Sequence, residues 1–164
     1  MNPTATNRRE LLGLAGAGVI ALVLFTRTVL ARPQASFEIR KTPAEWRRML
    51  GAERYRVLRE AGTEVPFTSP LNKEHRRGTF VCAGCGLPLF ASATKFDSHT
   101  GWPSFYRPLP NAVATKSDRT LGMVRTEVLC RRCGGHLGHV FEDGPKPTGL
   151  RYCINGLALK FRPA

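Results

Sequence analysis

The sequence predicts a small, mainly β domain of antiparallel strands tied together by a metal. From Gly78 onward the chain is broken into short apolar or alternating runs separated by Gly, Pro, Asn and Asp. Four of its five cysteines fall into two pairs, Cys82 with Cys85 and Cys130 with Cys133, each followed by glycine. A length of 164 residues suits one domain with a modest core, and a hydrophobic fraction of 42% is that of a globular protein.

The amino terminus reads as a leader. Asn7-Arg8-Arg9-Glu10-Leu11-Leu12 sets paired arginines before the apolar run Leu11 to Phe25, and small residues at Val29-Leu30-Ala31 precede Arg32-Pro33. This is the pattern of a twin-arginine export signal over residues 1–31, with a lead-in at 32–41 and the working domain at 42–164. The apolar run is shorter than the ~20 residues that span a bilayer and is diluted by Gly and Ala, so a permanent membrane anchor is the weaker alternative. Export to the periplasm of an already folded domain would let the metal load in a reducing compartment first.

Past the leader, Thr42-Pro43-Ala44-Glu45 carries a capping box with proline at the first helical position. It predicts a helix to Gly51 with Trp46, Met49 and Leu50 on its apolar side, then a second short helix through Tyr55 and Leu58 that stops at Gly62. The predicted strands are Thr79 to Val81, Gly122 to Leu129, His139 to Phe141, Leu150 to Asn155 and Leu157 to Phe161. There is no internal repeat beyond the cysteine pairs.

The formal charge is +13. Its lysines and arginines are scattered rather than run together, which favours a soluble cationic surface over a nucleic-acid stripe. Only Arg8, Arg9, Arg27 and Glu10 fall within the leader, so the basic character belongs to the domain.

Two Cys-x-x-Cys-Gly knuckles supply four thiolates for one tetrahedral Zn²⁺, with backbone amides able to point at the sulfurs. Two disulfides, or a dithiol redox motif, are the competing reading. Because the pairs are far apart in sequence, a zinc ion would staple the front of the β domain to its middle.

That count leaves Cys153 over. In Arg151-Tyr152-Cys153-Ile154-Asn155 the two-residue period of a strand puts Arg151, Cys153 and Asn155 on one face and Tyr152 and Ile154 on the other. A guanidinium beside a thiol favours the thiolate that a nucleophile needs. Taken alone, a free cysteine is more often buried and inert. Two imidazoles just past the second knuckle, His136 and His139, are suited to proton transfer near neutral pH. Trp102, in Gly101-Trp102-Pro103-Ser104-Phe105, is either core or an apolar wall for a thioether-like group.

Together with Lys95-Phe96-Asp97-Ser98, His136-Leu137-Gly138-His139-Val140-Phe141, Asp143-Gly144-Pro145 and Pro147-Thr148-Gly149, these segments resemble the type B methionine sulfoxide reductases, which reduce the R epimer of methionine sulfoxide. The resemblance runs from about Thr42 to Phe161. It implies two antiparallel β-sheets in a sandwich or tent, short N-terminal helices and one structural zinc on Cys82, Cys85, Cys130 and Cys133. It also implies Cys153 as nucleophile, His139 with His136 as proton donors, Arg151, Asn155 and Asp143 as positioning groups, and Trp102 and Phe141 on the substrate's side. The implied partners are oxidised proteins or peptides and a thioredoxin-like or small-thiol reductant. A monomer is expected, meeting membrane only through its leader and binding no nucleic acid.

One position departs from the pattern. Many family members carry a resolving cysteine two residues before the tryptophan, where this chain has Thr100. With four cysteines committed to zinc, a Cys153 sulfenic acid would need an external thiol. Two other classes compete: a zinc-ribbon nucleic-acid binder, drawing on Arg131 and Arg132 of the second knuckle, and a zinc-stabilised interaction module with an incidental thiol.

Overall fold

The structure is a computed structural model that describes residues 37–164; the leader expected at 1–31 lies outside the described residues. Thr42 caps the first helix as its sequence predicts. Its backbone N–H and hydroxyl both bond Glu45 Oε2, and Glu45 N–H returns to the threonine hydroxyl at 3.3 Å. Helix α1, Pro43–Glu60, is two helical pieces joined at Gly51, whose φ of 71° breaks the helical path. It ends at Ala61 in the left-handed conformation, one residue before the predicted Gly62 stop. Trp46, Tyr55, Val57 and Leu58 enter the core, whereas Met49 faces solvent, 53% exposed.

Nine strands follow: β1 Gly78–Cys82, β2 Pro88–Ala91, β3 Lys95–Phe96, β4 Ser104–Phe105, β5 Val113–Asp118, β6 Arg125–Cys130, β7 His136–Phe141, β8 Arg151–Ile154 and β9 Leu159–Pro163. They form two antiparallel sheets, one ordered β2-β1-β9 and one ordered β3-β4-β8-β7-β6-β5. Aromatic residues from both sheets fill the space between them. Phe90 of β2 stacks on Phe105 of β4 at 4.4 Å, and Phe80 of β1 meets the same ring edge-on at 5.0 Å. Each fully buried ring of this kind contributes about 1.5–3 kcal/mol over leaving it exposed.

Boundaries shift where backbone overrides pattern. Residues Thr120–Gly122 form a turn of 3-10 helix, so β6 starts at Arg125 rather than Gly122; likewise Gly156–Ala158 is a 3-10 turn and β9 begins at Leu159. Strand β7 begins at His136, three residues ahead of the predicted His139. Among the described residues no helix is long and apolar enough to cross a membrane.

Candidate active site and metal-ligand cluster

The two knuckles are built alike. Gly86 N–H bonds Cys82 O and Gly134 N–H bonds Cys130 O, both at 2.8 Å, closing tight turns that need positive φ at Gly86 (72°) and Gly134 (68°). Strands β1 and β6 therefore end in matching corners whose four sulfurs all lie within 4.8 Å of one another. Sγ–Sγ distances of 3.8 Å for Cys82–Cys133 and 3.5 Å for Cys85–Cys130 approach the edge, about 3.8 Å, of a tetrahedron with metal–sulfur bonds of about 2.3 Å. They are far beyond disulfide bonding, and all five cysteines are free thiols. The donor set therefore fits a tetrahedral, thiophilic ion. Hydrogen bonds shared among the sulfurs push Cys82 and Cys133 up and Cys85 and Cys130 down from the ordinary thiol range. Trp46 and Leu58 of α1 pack against the knuckle glycines Gly84 and Gly135, and Arg59 donates to Cys133 O at 2.9 Å.

Cys153 lies at the other working place of the larger sheet. Its strand, β8, runs between β4 and β7, with Ser104 opposite Cys153 on one side and His139 opposite it on the other. The close approach of β7 requires glycine at 138, because a Cβ there would collide with the Cys153 carbonyl oxygen. Cys153 opens into a small pocket, about 130 Å³, whose walls include Trp102, His139, Phe141, Arg125 and Asn155. The opposite face of β8 is core: Ile154 is fully buried and Tyr152 packs on Phe90.

Both histidines reach this side by way of an irregularity. Residues 136 and 139 of an ideal strand point to opposite faces. Here the β6–β7 register shifts between Val128 and Leu129, so β7 carries one extra residue, and the two imidazoles meet edge to face at 5.5 Å. His139 Nε2 lies 2.8 Å from Asp118 Oδ2, which also takes Arg125 at 2.7 Å. Hydrogen bonds from Thr120, then from His139, hold Asp118 well below the usual carboxylate range. His136 is buried and its Nδ1 sits 2.7 Å from Glu127 Oε1; desolvation pushes its imidazolium down despite that carboxylate. Glu127 is in turn paired with Lys116 at 3.0 Å.

Arg151 grips Asp143 through Nε and Nη2, at 2.8 and 2.7 Å, and lies over the Phe141 ring at 4.4 Å. Asp143 raises the guanidinium pKa most, and the Cys153 sulfur adds to the effect. Asn155 lies one residue beyond β8. Its side chain is a structural clip, donating to Leu137 O at 3.1 Å and accepting from Glu64 N–H at 3.0 Å. Glu64 ties the pocket together: its carbonyl accepts the Trp102 indole N–H at 3.1 Å and its buried carboxylate accepts the N–H groups of Gly156 and Leu157.

Residues 50–163 match the SelR domain. The peptide methionine sulfoxide reductase MsrB of Leptospira interrogans is 55% identical over 128 residues, covering 77% of this chain and 98% of that protein. The MsrB of Thiobacillus denitrificans is 60% identical over 124 residues, 75% of this chain and 94% of its own length. The MsrB of Agrobacterium fabrum is 55% identical over 127 residues, 77% of this chain and 94% of its own.

The chain belongs to the MsrB family of oxidoreductases. Every residue expected at an MsrB site lies in one of the two clusters or beside them, with Asp143 on the rim through Arg151. Sequence reasoning missed Asp118, Arg125, Glu127 and Glu64. Arg125 and Glu127 had a readable signal, as charged residues in a strand that runs on into Val128, Leu129 and Cys130; Asp118 and Glu64 reach the Cys153 pocket by tertiary contact. Arg125 Nε is buried without a hydrogen-bond partner among the described residues, an unsatisfied donor on a residue that lines the pocket.

Proposed function

We propose that this protein reduces the R epimer of methionine sulfoxide in peptides and proteins, with Cys153 as nucleophile and a structural zinc on Cys82, Cys85, Cys130 and Cys133. The observation that carries the reading is the pocket in which Cys153 faces His139 across the sheet and Trp102 forms an apolar wall. Its size suits the end of one thioether-like side chain. Trp102 and Phe141 take the methyl-sulfoxide end, while the peptide remains outside.

The Cys153 thiolate attacks the sulfoxide sulfur as the protonated His139 gives its proton to the oxygen. The new bond between Cys153 Sγ and the substrate sulfur forms as the S–O bond breaks and the oxygen leaves as water. Water then attacks Cys153 Sγ and breaks that S–S bond, so two electrons have passed to the substrate sulfur, leaving a sulfenic acid on Cys153 and a methionine residue in the peptide. Asp118 supports the step by accepting from His139 Nε2–H, which stabilises the imidazolium. Buried His136, driven toward its neutral form and bonded to Glu127, braces His139 rather than sharing its task. Arg151, fixed by Asp143, supplies the positive charge near the thiolate.

A first external thiol, small or thioredoxin-like, attacks the sulfenic sulfur and releases water, and a second thiol frees Cys153. Zinc at the four-cysteine cluster supplies a crosslink and no redox chemistry. Turnover of separated R and S sulfoxide peptides with a dithiol tests the assignment: activity on R alone, abolished in Cys153→Ser, is expected, and activity on S alone overturns it.

Twin-arginine export is proposed on the Arg8-Arg9 motif and the apolar run behind it. Changing both arginines to lysine should trap the protein inside the inner membrane. Mature-size protein still found outside it would refute the route.

A further inference from the structure

Three hydroxyls lead from Cys153 to the backbone of the tryptophan loop. Thr100 Oγ1 lies 3.7 Å from Cys153 Sγ, Ser98 Oγ lies 2.8 Å from Thr100 Oγ1, and Ser104 Oγ lies 2.7 Å from Ser98 Oγ. The row ends where Ser104 Oγ–H donates to the Trp102 carbonyl at 3.2 Å. Ser104 is the cross-strand neighbour of Cys153 and is fully buried, which anchors the row to the sheet.

Proton counting gives the row a direction. Each hydroxyl has one proton to donate and can accept through its lone pairs, whereas a carbonyl can only accept. Ser104 spends its proton on Trp102 O, so Ser98 must donate to Ser104, and Thr100 must donate to Ser98. A Cys153 thiol then donates to Thr100. A thiolate has nothing to donate, and Thr100 can serve it as a donor beside Arg151 only if every hydroxyl turns: Thr100 to the sulfur, Ser98 to Thr100, Ser104 to Ser98. The Trp102 carbonyl loses its bond from Ser104. The weak bond donated by the thiol gives way to a charge-assisted one at the sulfur and a neutral bond is lost at the carbonyl, an exchange that still favours the thiolate.

We propose that Thr100, Ser98 and Ser104 form a reversible hydrogen-bond chain that positions a donor on the Cys153 thiolate and links its ionisation to the backbone of Trp102. Thr100 is thus a positioning residue, occupying with a hydroxyl the place beside the reactive sulfur. The inference rests on Cys153 being the reactive thiol, and the test reads that thiol without using substrate.

The pH profile of iodoacetamide alkylation at Cys153, followed by mass spectrometry of its peptide, measures the effect in the full-length protein. Thr100→Val should slow alkylation at pH 7 about threefold to tenfold and displace the profile to higher pH, since the donor is gone while the bulk remains. Thr100→Ser should restore the parent profile. Ser104→Ala should move it the other way, to lower pH, because the bond to Trp102 that opposes reversal no longer exists. The proposal is overturned if Thr100→Val matches the parent, if Thr100→Ser behaves like Thr100→Val, or if Ser104→Ala shifts in the same sense as Thr100→Val. A Cys153 that resists alkylation in the parent at every pH would instead sink the nucleophile assignment itself.

Discussion

His139 commits one ring nitrogen to Asp118, and that leaves the other for chemistry. Nδ1 has no hydrogen-bond partner among the described residues, so an Nε2–H···carboxylate bond orients the ring and sets its tautomer. Asp118 is kept ionised by Thr120 and Arg125, which makes it a dependable acceptor. Asp118→Asn should therefore lower kcat by roughly tenfold to a hundredfold with a smaller change in KM, since general acid catalysis contributes at about that scale or above. Steady-state kinetics on a sulfoxide peptide check it, and an unchanged kcat would remove Asp118 from the mechanism. Cys153 was legible as a residue because arithmetic left it over from the pairs. Asp118 was not, because nothing about an aspartate at the end of a polar strand marks it as a histidine's partner until β5 and β7 are both laid against β6.

At the level of the element, the extra residue in β7 decides what the two histidines are. It sends Leu137 into the core and brings His136 and His139 to one side, but leaves His136 buried against Glu127. Burial pushes the His136 pKa below its ordinary value of 6.5. Below that value the unfolded chain takes up a proton that the folded one resists, so this group's contribution to stability is complete above about pH 6.5 and is lost as pH falls. Urea midpoints should thus drop between pH 7.5 and 5.5 more in the parent than in His136→Gln, which keeps a donor for Glu127. Equal drops would contradict the burial argument. Glu64, raised by burial, acts in the opposite sense, and so the difference between parent and variant is the measure rather than the slope alone. Strands with a buried face, such as β1, β7 and β8, were readable from their apolar runs. Edge strands β2, β3 and β5 were not: β5 is mostly exposed and polar along Thr115 to Ser117, so it has no hydrophobic alternation to show.

For the molecule as a whole, the cysteine cluster joins the corner after β1 to the corner between β6 and β7 under helix α1, two segments far apart along the chain. Zinc bound there would carry folding energy, and apparent binding free energies of structural zinc reach about 10–16 kcal/mol. One zinc per chain is expected, and chelation or Cys130→Ser should lower the unfolding temperature sharply. A chelated protein that melts as before would deny the staple. The sequence by itself determined the candidates: knuckle spacing implied a metal site, the leftover thiol with its strand neighbours and the family resemblance pointed to Cys153, and alternating runs implied the antiparallel strands. Those signals are local, set by residue type and short-range spacing. Only the tertiary structure decided that Asp118 serves His139, that Glu64 holds Trp102 and Asn155 together, and that a row of hydroxyls ends at Cys153. Each joins residues from different strands or loops, and such contacts follow from register, bulges and sheet order, which leave no periodic trace in the chain.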